Sequence, residues 1–512
     1  MRGCSVTPVL LYALAILGPR AELQAQSDAR GPTESVNPAI IERIRAEGLT
    51  RSRIADDLRY LADVIGPRLT GSPAMDVANA WAADRMRTYG LSDVRLESWY
   101  FGRGWEELSY SGRMTAPFTK PLVGRSVAWA GRTEGAQAGP AVFLDSYTLD
   151  GVKAIAGQVG GAWVLLDPAE ADRRFYVNDR PARWTDHEVV RSEVEVRRTP
   201  LEMRQEGEAH RKEFDVQLRL AELAARGIVR RSRYPRGALG SVESILGEEI
   251  PPEVLEPGGV DPLPQVILAD PDYALVYRNL RAGVPVTLEF ELETRFVEDN
   301  PLSYNTIGDL PGTDLANEFV IIGAHLDSWP GGTGALDNGA GSVVALEAMR
   351  ILATLGVSPR RTIRVGLWSG EEPERLDHSG LFGSVAYVEA HASELDRTSA
   401  YLNLDQGTGR IRGIWEQGNT AAASIIAGIL EPLSDLGVVG LKPGFFVGSD
   451  AQSFADAGVP AFSFVHDTID PSVYHTEFDT FDAVQIDDLK QAAVVVAVTA
   501  YHLAMRPERL PK

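Results

Sequence analysis

The chain has 512 residues, of which 44% are hydrophobic and 24% charged, and its formal net charge is -21. This length favours a core domain with an insertion or a second domain, and the composition is that of a soluble globular protein. The negative charge argues against nucleic acid and against anionic membrane surfaces as partners. The single cysteine, Cys4, lies in a segment predicted below to be removed, which excludes disulfides in the mature chain.

The first 26 residues have the pattern of an export signal. Arg2 supplies a positive charge, an apolar run follows over residues 6–17, and a polar stretch ends near Ala25 and Gln26. The run is shorter than the roughly 20 residues that a membrane-spanning helix needs. The pattern predicts a cleaved signal peptide (1–26), export to the extracellular space or periplasm, and no stable membrane contact afterwards. An uncleaved membrane anchor is the alternative.

Helical periodicity comes first along the chain, and β-like segments follow it. Residues 37–89 are predicted to be helical, with a break at the glycine- and proline-rich loop 66–73. From about 121 to 294 short β-like runs replace the helices, which predicts an inserted domain. Within it, the strongly charged stretch 190–233 has helical spacing and is interpreted as a solvated helical excursion.

Strands and helices alternate after residue 305. The predicted strands are 319–324, 362–368, 400–404 and 461–465, and the predicted helices are 340–355, 379–391, 421–433 and 486–505. This alternation predicts an α/β fold with a mainly parallel sheet that helices cover on both faces. In such sheets, active sites collect where loops leave the carboxyl ends of the strands.

Titratable residues follow the ends of these four strands. In chain order they are His325, Asp327 and Asp337, then Glu371 and Glu372, then Asp405, and finally Tyr474 and His475. Clustered carboxylates repel one another unless a cation neutralises them, and a mixed imidazole and carboxylate set suits zinc. A carboxylate that bridges two ions would let five residues hold two metals, and a spare carboxylate could act as general base. The pattern alone does not separate His475 from the nearby His466.

The segments that carry these residues have a specific order and spacing. They are His325-Leu326-Asp327-Ser328-Trp329, Gly334-Ala335-Leu336-Asp337-Asn338-Gly339, Ser369-Gly370-Glu371-Glu372, Asn403-Leu404-Asp405, Gly458-Val459-Pro460 and Tyr474-His475-Thr476-x-x-Asp479-Thr480. Together they resemble the M28 family of metallopeptidases and, within it, the carboxypeptidase Q (plasma glutamate carboxypeptidase-like) branch. Residues 65–72 and 101–105 also resemble that branch, and residues 263–291 are similar to a protease-associated domain.

The resemblance implies a zinc exopeptidase fold, a mainly parallel mixed sheet flanked by helices, with an inserted β-rich domain. It divides the chain into a signal peptide (1–26), an N-terminal part of the peptidase domain (35–120), a protease-associated-like insert with the charged excursion (121–294, with 190–233), and the zinc peptidase domain (295–512). Residues 373–378 and the charged excursion depart from the common pattern of the family. Both could shape the substrate pocket.

The resemblance also implies roles for the metal ligands. His325, Asp337 and Asp405 would hold one zinc ion, and Asp337 would bridge to a second ion that Glu372 and His475 complete. The expected cofactor is therefore two zinc ions per chain.

The remaining site residues have implied roles in catalysis. Glu371 would be the general base, Asp327 would hydrogen-bond His325 and fix its tautomer, and Tyr474 would steady the oxyanion. The implied function is a secreted di-zinc exopeptidase acting on dipeptides or short peptides, with aminopeptidase, carboxypeptidase and dipeptidase specificity all open. A mono-zinc enzyme like glutaminyl cyclase and a non-catalytic receptor-like domain are the alternatives. The sequence leaves the oligomeric state open, with a homodimer as one option.

Overall fold

The structure is a computed structural model. It describes residues 36–512 apart from 168–182, 184, 191–192, 195–199, 235–237, 242–243, 377–379, 406, 408 and 468–471. The predicted signal peptide (1–26) lies outside the described residues, as does part of the stretch 190–233. Every helix within the described ranges is too short or too polar to cross a membrane.

Strands and helices succeed one another along the whole described chain. The strands are β1 (Ser92–Tyr100), β2 (Gly104–Ala116), β3 (Lys120–Pro121), β4 (Gly124–Ser126), β5 (Gln137–Phe143), β6 (Trp163–Leu165), β7 (Glu193–Val194), β8 (Gly227–Arg231), β9 (Glu249–Ile250), β10 (Gln265–Leu268), β11 (Thr287–Val297), β12 (Leu302–Leu310), β13 (Leu315–His325), β14 (Arg361–Trp368), β15 (Glu374–Arg375), β16 (Thr398–Asn403), β17 (Ile411–Trp415), β18 (Gly440–Lys442), β19 (Gly444–Phe445) and β20 (Ala461–His466). The helices are α1 (Pro38–Thr50), α2 (Ile54–Arg59), α3 (Pro73–Thr88), α4 (Leu149–Val159), α5 (Asp186–Val190), α6 (Pro200–Glu222), α7 (Pro252–Leu255), α8 (Asp270–Arg281), α9 (Ala340–Thr354), α10 (Phe382–Ala390), α11 (Thr420–Leu430), α12 (Ala451–Asp456) and α13 (Ile486–Met505).

The first sheet carries the strands that were predicted after residue 305. Eight strands form it in the order β1-β12-β14-β13-β16-β20-β17-β18. Its centre is parallel, because β13 lies between β14 and β16, and β16 pairs with β20. Strand β12 runs antiparallel to β1 and β14, and β17 runs antiparallel to β20. The prediction of a mixed α/β fold flanked by helices is confirmed.

Local sequence signals explain where the flanking helices begin and which faces they bury. Asn37 caps α1 by accepting the N–H groups of the next turn, and Ser72 caps α3 in the same way, each before a proline in the first turn. Helices α9 and α13 are buried along nearly their whole length against the first sheet. Each fully buried Val or Leu there stabilises the fold by roughly 1.5–3 kcal/mol.

The second sheet lies between residues 104 and 297 and has cores of its own. Its eight strands have the order β3-β2-β11-β5-β6-β8-β10-β4. Helix α8 contributes Tyr273 and Val276 to one apolar cluster, and α4 and α6 contribute Val152 and Leu220 to another. The sheet begins at β2, before the predicted boundary at residue 121, and its assignment as a protease-associated domain stays a prediction. Two short ladders, β15 with β9 and β19 with β7, join the two regions.

The charged stretch 190–233 is only partly what the sequence predicts. Helix α6 is present, but Phe214 and Val216 are buried in it, and β8 is an internal strand between β6 and β10. The interpretation as a solvated excursion is therefore wrong for the second half of the stretch. In the sequence, the arginines on either side of Ile228-Val229 make this apolar pair look like part of a solvent-exposed segment. One of them, Arg231, is neutralised by an ion pair with Asp270.

Candidate metal centre

The candidate residues lie at the carboxyl edge of the first sheet, where its parallel strands end. His325 is the last residue of β13, and Asp405 lies just beyond the end of β16. Glu371 and Glu372 follow β14, and Asp337 lies in the loop between β13 and α9. Because parallel strands end at the same edge, residues far apart in the chain meet there.

The structure brings these side chains within a few ångströms of one another. The Nε2 atom of His325 lies 3.3 Å from Asp337 Oδ1 and 3.3 Å from Asp405 Oδ1. On the other side, His475 Nε2 lies 3.1 Å from Asp337 Oδ2. Ligand atoms of two trios, His325-Asp337-Glu372 and His325-Glu371-Asp405, lie within 4.8 Å of one another. Asp337 therefore stands between two imidazoles, with one carboxylate oxygen towards each.

The charges of this cluster are strongly coupled. Burial raises the pKa values of Glu371 and Glu372 well above their usual range, and the surrounding carboxylates add to this effect. Burial would also raise the pKa of Asp337, but the imidazoles of His325 and His475 hold it well below its usual value. So dense a group of carboxylates requires compensating positive charge.

A divalent cation fits this set of residues. The buried Glu372 Oε1 atom has no hydrogen-bond partner among the described residues. A buried polar atom without a partner is costly, and a metal ion would relieve this cost. Imidazole nitrogens and carboxylate oxygens are the donors that zinc takes in catalytic sites.

Comparisons with known proteins agree with this geometry. Residues 305–500 match the sequence model of peptidase family M28. Carboxypeptidase Q of Rattus norvegicus is 25% identical over 94% of this chain and 91% of its own length. A solved M28 peptidase precursor from Shewanella amazonensis is 26% identical, with a TM-score of 0.66 over 93% of this chain and 98% of that one.

This chain is a metallopeptidase, and its residues 305–500 form an M28-family peptidase domain. A solved zinc aminopeptidase of Bacillus subtilis is 19% identical to this chain, with a TM-score of 0.58 over 89% of this chain and 96% of that one. This similarity shows a shared fold alone. The similarity to carboxypeptidase Q extends over nearly the full length of both chains.

Asp327 lies behind His325 in the M28 peptidase and is fully buried. The Nδ1 atom of His325 is 3.1 Å from the Asp327 backbone carbonyl and 3.6 Å from its carboxylate. The hydrogen bond that fixes the tautomer is therefore to the carbonyl. The carboxylate instead accepts the Thr70 hydroxyl at 2.6 Å and the N–H groups of Glu371 and Glu372 at 3.4 Å each. Asp327 thus orients both glutamates through their backbone.

Two further residues hold the loop that carries Asp337. The buried guanidinium of Arg68 donates to the carbonyls of Thr333 and Gly334 at 2.9 and 2.8 Å. The Asp479 carboxylate accepts the N–H of Asp337 at 3.0 Å. Both residues lie in or beside segments that resemble the family, but the sequence pattern assigned them no role. Their function depends on contacts with a loop far away in the chain.

His475 has an unusual backbone conformation, and its neighbour Tyr474 packs against its ring. The φ angle of His475 is +57°, a left-handed value that is uncommon outside glycine. Its carbonyl accepts the N–H of Ser241 at 2.8 Å, a contact from the second region. The ring of Tyr474 stacks on that of His475 at 3.9 Å, and Tyr474 is 37% exposed. The role of Tyr474 towards an oxyanion stays a prediction.

His466 is close in sequence to His475, and neither belongs to the two trios, but the two imidazoles have different partners. His466 ends β20, and its Nδ1 lies 3.1 Å from the carbonyl of Gly409. Burial lowers the pKa of His466 to about 4. The tertiary structure therefore separates two histidines that the sequence pattern leaves equivalent.

Sequence reasoning missed Asp450, which lies beside the cluster at the start of α12. It is 1% exposed, and neither carboxylate oxygen has a well-formed hydrogen bond to a described residue. Burial raises the pKa of Asp450 to about 7, and the carboxylate of Asp405 contributes to the increase. In the sequence, Ser449-Asp450 before a short helix has the pattern of an ordinary helix cap. The sequence pattern therefore gave no indication that the Asp450 carboxylate lies beside the cluster.

Proposed function

We propose that this peptidase is an exported zinc exopeptidase that uses two zinc ions to hydrolyse dipeptides or short peptides. One observation carries the proposal of two ions: Asp337 directs its two carboxylate oxygens towards different imidazoles, at 3.3 Å from His325 and 3.1 Å from His475. A carboxylate in this position suits a bridge between two ions. The zinc named for the Bacillus subtilis aminopeptidase and the activity named for carboxypeptidase Q agree with the proposal.

The proposed ligand sets follow from the distances around Asp337. His325 and Asp405 would complete the set on one side, and Glu372 and His475 the set on the other. Zinc, when bound, would polarise the scissile carbonyl and lower the pKa of water. The unpartnered Oε1 of Glu372 supports its assignment as a ligand rather than as a base.

Glu371 is the proposed general base. Its Oε2 lies 4.0 Å from His325 Nε2, within the trio His325-Glu371-Asp405, but neither proposed ligand set includes it. Its carboxylate would accept a proton from the attacking water as the C–O bond forms. The same carboxyl group would donate that proton to the leaving nitrogen as the C–N bond breaks, which restores the carboxylate. The hydrogen bond from its N–H to Asp327 holds the loop in place.

Purified protein provides the direct test. We expect close to two zinc ions per chain, loss of peptidase activity on chelation, and recovery when zinc is added back. A panel of peptides with free or blocked termini would identify the end that the enzyme requires. A fully active metal-free preparation would contradict the proposal. A single zinc with ring closure of N-terminal glutamine would favour the alternative of a glutaminyl cyclase-like enzyme.

A further inference from the structure

A cavity of about 580 Å³ lies between the two regions of the molecule. Residues Glu206, His210 and Glu213 of α6 form one wall, and Arg230 of β8 lies beside them. Glu248, just before β9, and Glu374 of β15 also line it. Its volume falls in the range of roughly 300–1,000 Å³ that is typical of small-ligand sites.

This cavity adjoins the candidate metal centre. Glu374 is only two residues from the proposed ligand Glu372, and its N–H donates to the carbonyl of Glu248 at 3.1 Å. Ser241, in the segment between β8 and β9, donates its N–H to the carbonyl of His475. The cavity wall and the metal centre therefore share the same loops.

The lining of the cavity is predominantly anionic. It contains the five carboxylates Glu206, Glu213, Glu248, Glu249 and Glu374, against the two guanidinium groups Arg230 and Arg233. His210 pairs with Glu249 at 2.6 Å between Nδ1 and Oε2. Even with His210 protonated, the carboxylates outnumber the cations, so the cavity favours a positively charged occupant.

We propose that this cavity is a specificity pocket for the cationic side chain of a lysine or arginine residue next to the scissile bond. The inference rests on the proposed function, because it assumes a peptide at the metal centre. The buried Leu246 in the lining offers an apolar contact for the methylene stem of such a side chain. The carboxylates of Glu213 and Glu248 would then hold its charged end.

Matched substrates test this pocket. Dipeptides with lysine at either position are compared with the same dipeptides containing norleucine, which has a similar chain without the charge. We expect kcat/KM to be roughly tenfold higher for lysine at one of the two positions. The Glu213→Gln variant should reduce this ratio about threefold to tenfold. The control is Glu208→Gln on the same helix, a side chain that is 65% exposed and outside the lining, which should leave the ratio unchanged.

Two outcomes would overturn the proposal: equal kcat/KM for lysine and norleucine at both positions, or the same change in ratio for both variants. Hydrolysis of neutral dipeptides in either case would leave the proposed function intact. If zinc-loaded protein cleaved no peptide, the proposed function would fail instead. The pocket would then be tested by calorimetric binding of the lysine and norleucine dipeptides to the same variants. Equal affinities in that experiment would reject it.

Discussion

The two sheets of this peptidase contribute differently to the candidate metal centre. The first sheet provides every predicted ligand and the predicted base, from the ends of its strands and the loops that follow them. The second sheet provides no predicted ligand, yet Ser241 and Glu248, between its strand β8 and the short strand β9, border the centre. With the proposed ligand sets and the proposed pocket, the first region would determine the reaction, whereas the second would influence which substrates bind and how one ligand is held.

Arg125 makes the connection between the two regions. It lies in β4 of the second sheet and is 5% exposed. Its guanidinium donates to the carbonyl of Gly240 at 2.8 and 3.0 Å and to that of Ser241 at 2.6 Å. Since the N–H of Ser241 in turn bonds the carbonyl of His475, a residue of the second sheet supports the backbone of a proposed ligand.

The largest effect is expected from Glu371→Gln in the first region. The amide is isosteric and cannot accept the proton, so turnover should fall about 10² to 10⁴-fold while zinc content stays unchanged. Turnover and metal content measured on the same preparation check this. A decrease of less than tenfold would show that the proposed base is wrong.

Glu372→Gln, one residue away, should affect the metal rather than the proton. A neutral amide is a poor zinc ligand, so we expect the second zinc to be lost and activity to fall with it. Metal analysis of the two variants side by side is the measurement. If Glu371→Gln lost a zinc ion and Glu372→Gln kept both, the two assignments would be reversed.

A smaller effect is expected from Arg125→Lys in the second region. Lysine keeps the charge but lacks the planar fork that contacts two carbonyls, so the support of His475 should loosen. Residues that support a ligand typically change metal affinity about 10 to 100-fold, and we expect the lower end. Competition with a chelator measures the affinity. Arg113→Lys, an exposed arginine of the same sheet paired with Glu289, is the control and should bind zinc normally. Identical affinities for both variants would imply that the second sheet does not support the metal centre.

The smallest effect is a pH-dependent change in stability from His210→Gln. The hydrogen bond with Glu249 raises the pKa of His210 above its usual value of about 6.5. The stabilisation is therefore complete below about pH 6.5 and is lost as the pH rises through the raised pKa of the folded state. We expect the variant to be less stable by no more than about 1 kcal/mol at pH 6 and equal to the wild type at pH 9.

Calorimetry at the two pH values measures this difference and extends the comparison between the regions. His391→Gln is the matched variant in the first region, because Glu97 raises the pKa of His391 in the same way. If the regions unfold separately, each variant should shift its own transition. A destabilisation by His210→Gln that was as large at pH 9 as at pH 6 would show that the ion pair is not its cause.

Much of the first region could be predicted because its signals are local. Alternating apolar runs and helical periodicity indicated four strands of the first sheet, and the predicted bounds of the last helix, 486–505, agree with α13. The polar residues that follow those strands, from His325 to His475, stand where parallel strands end, so their proximity followed from the order of elements. In the second region, β8 was missed because its flanking arginines look like solvated charge until their partners are known.

The sequence by itself therefore determined the α/β class, the edge of the sheet where chemistry collects, and the set of candidate ligands. These features were predictable because the spacing of apolar residues and the positions where strands end depend on residues that are neighbours in the chain. Only the tertiary structure decided that His475, rather than His466, faces Asp337, and that Asp450 is buried beside the cluster. It also decided that Arg125 supports the backbone of His475 through a loop of the second region. These contacts join residues separated by tens to hundreds of positions, and their energies depend on burial and charge that no local pattern records.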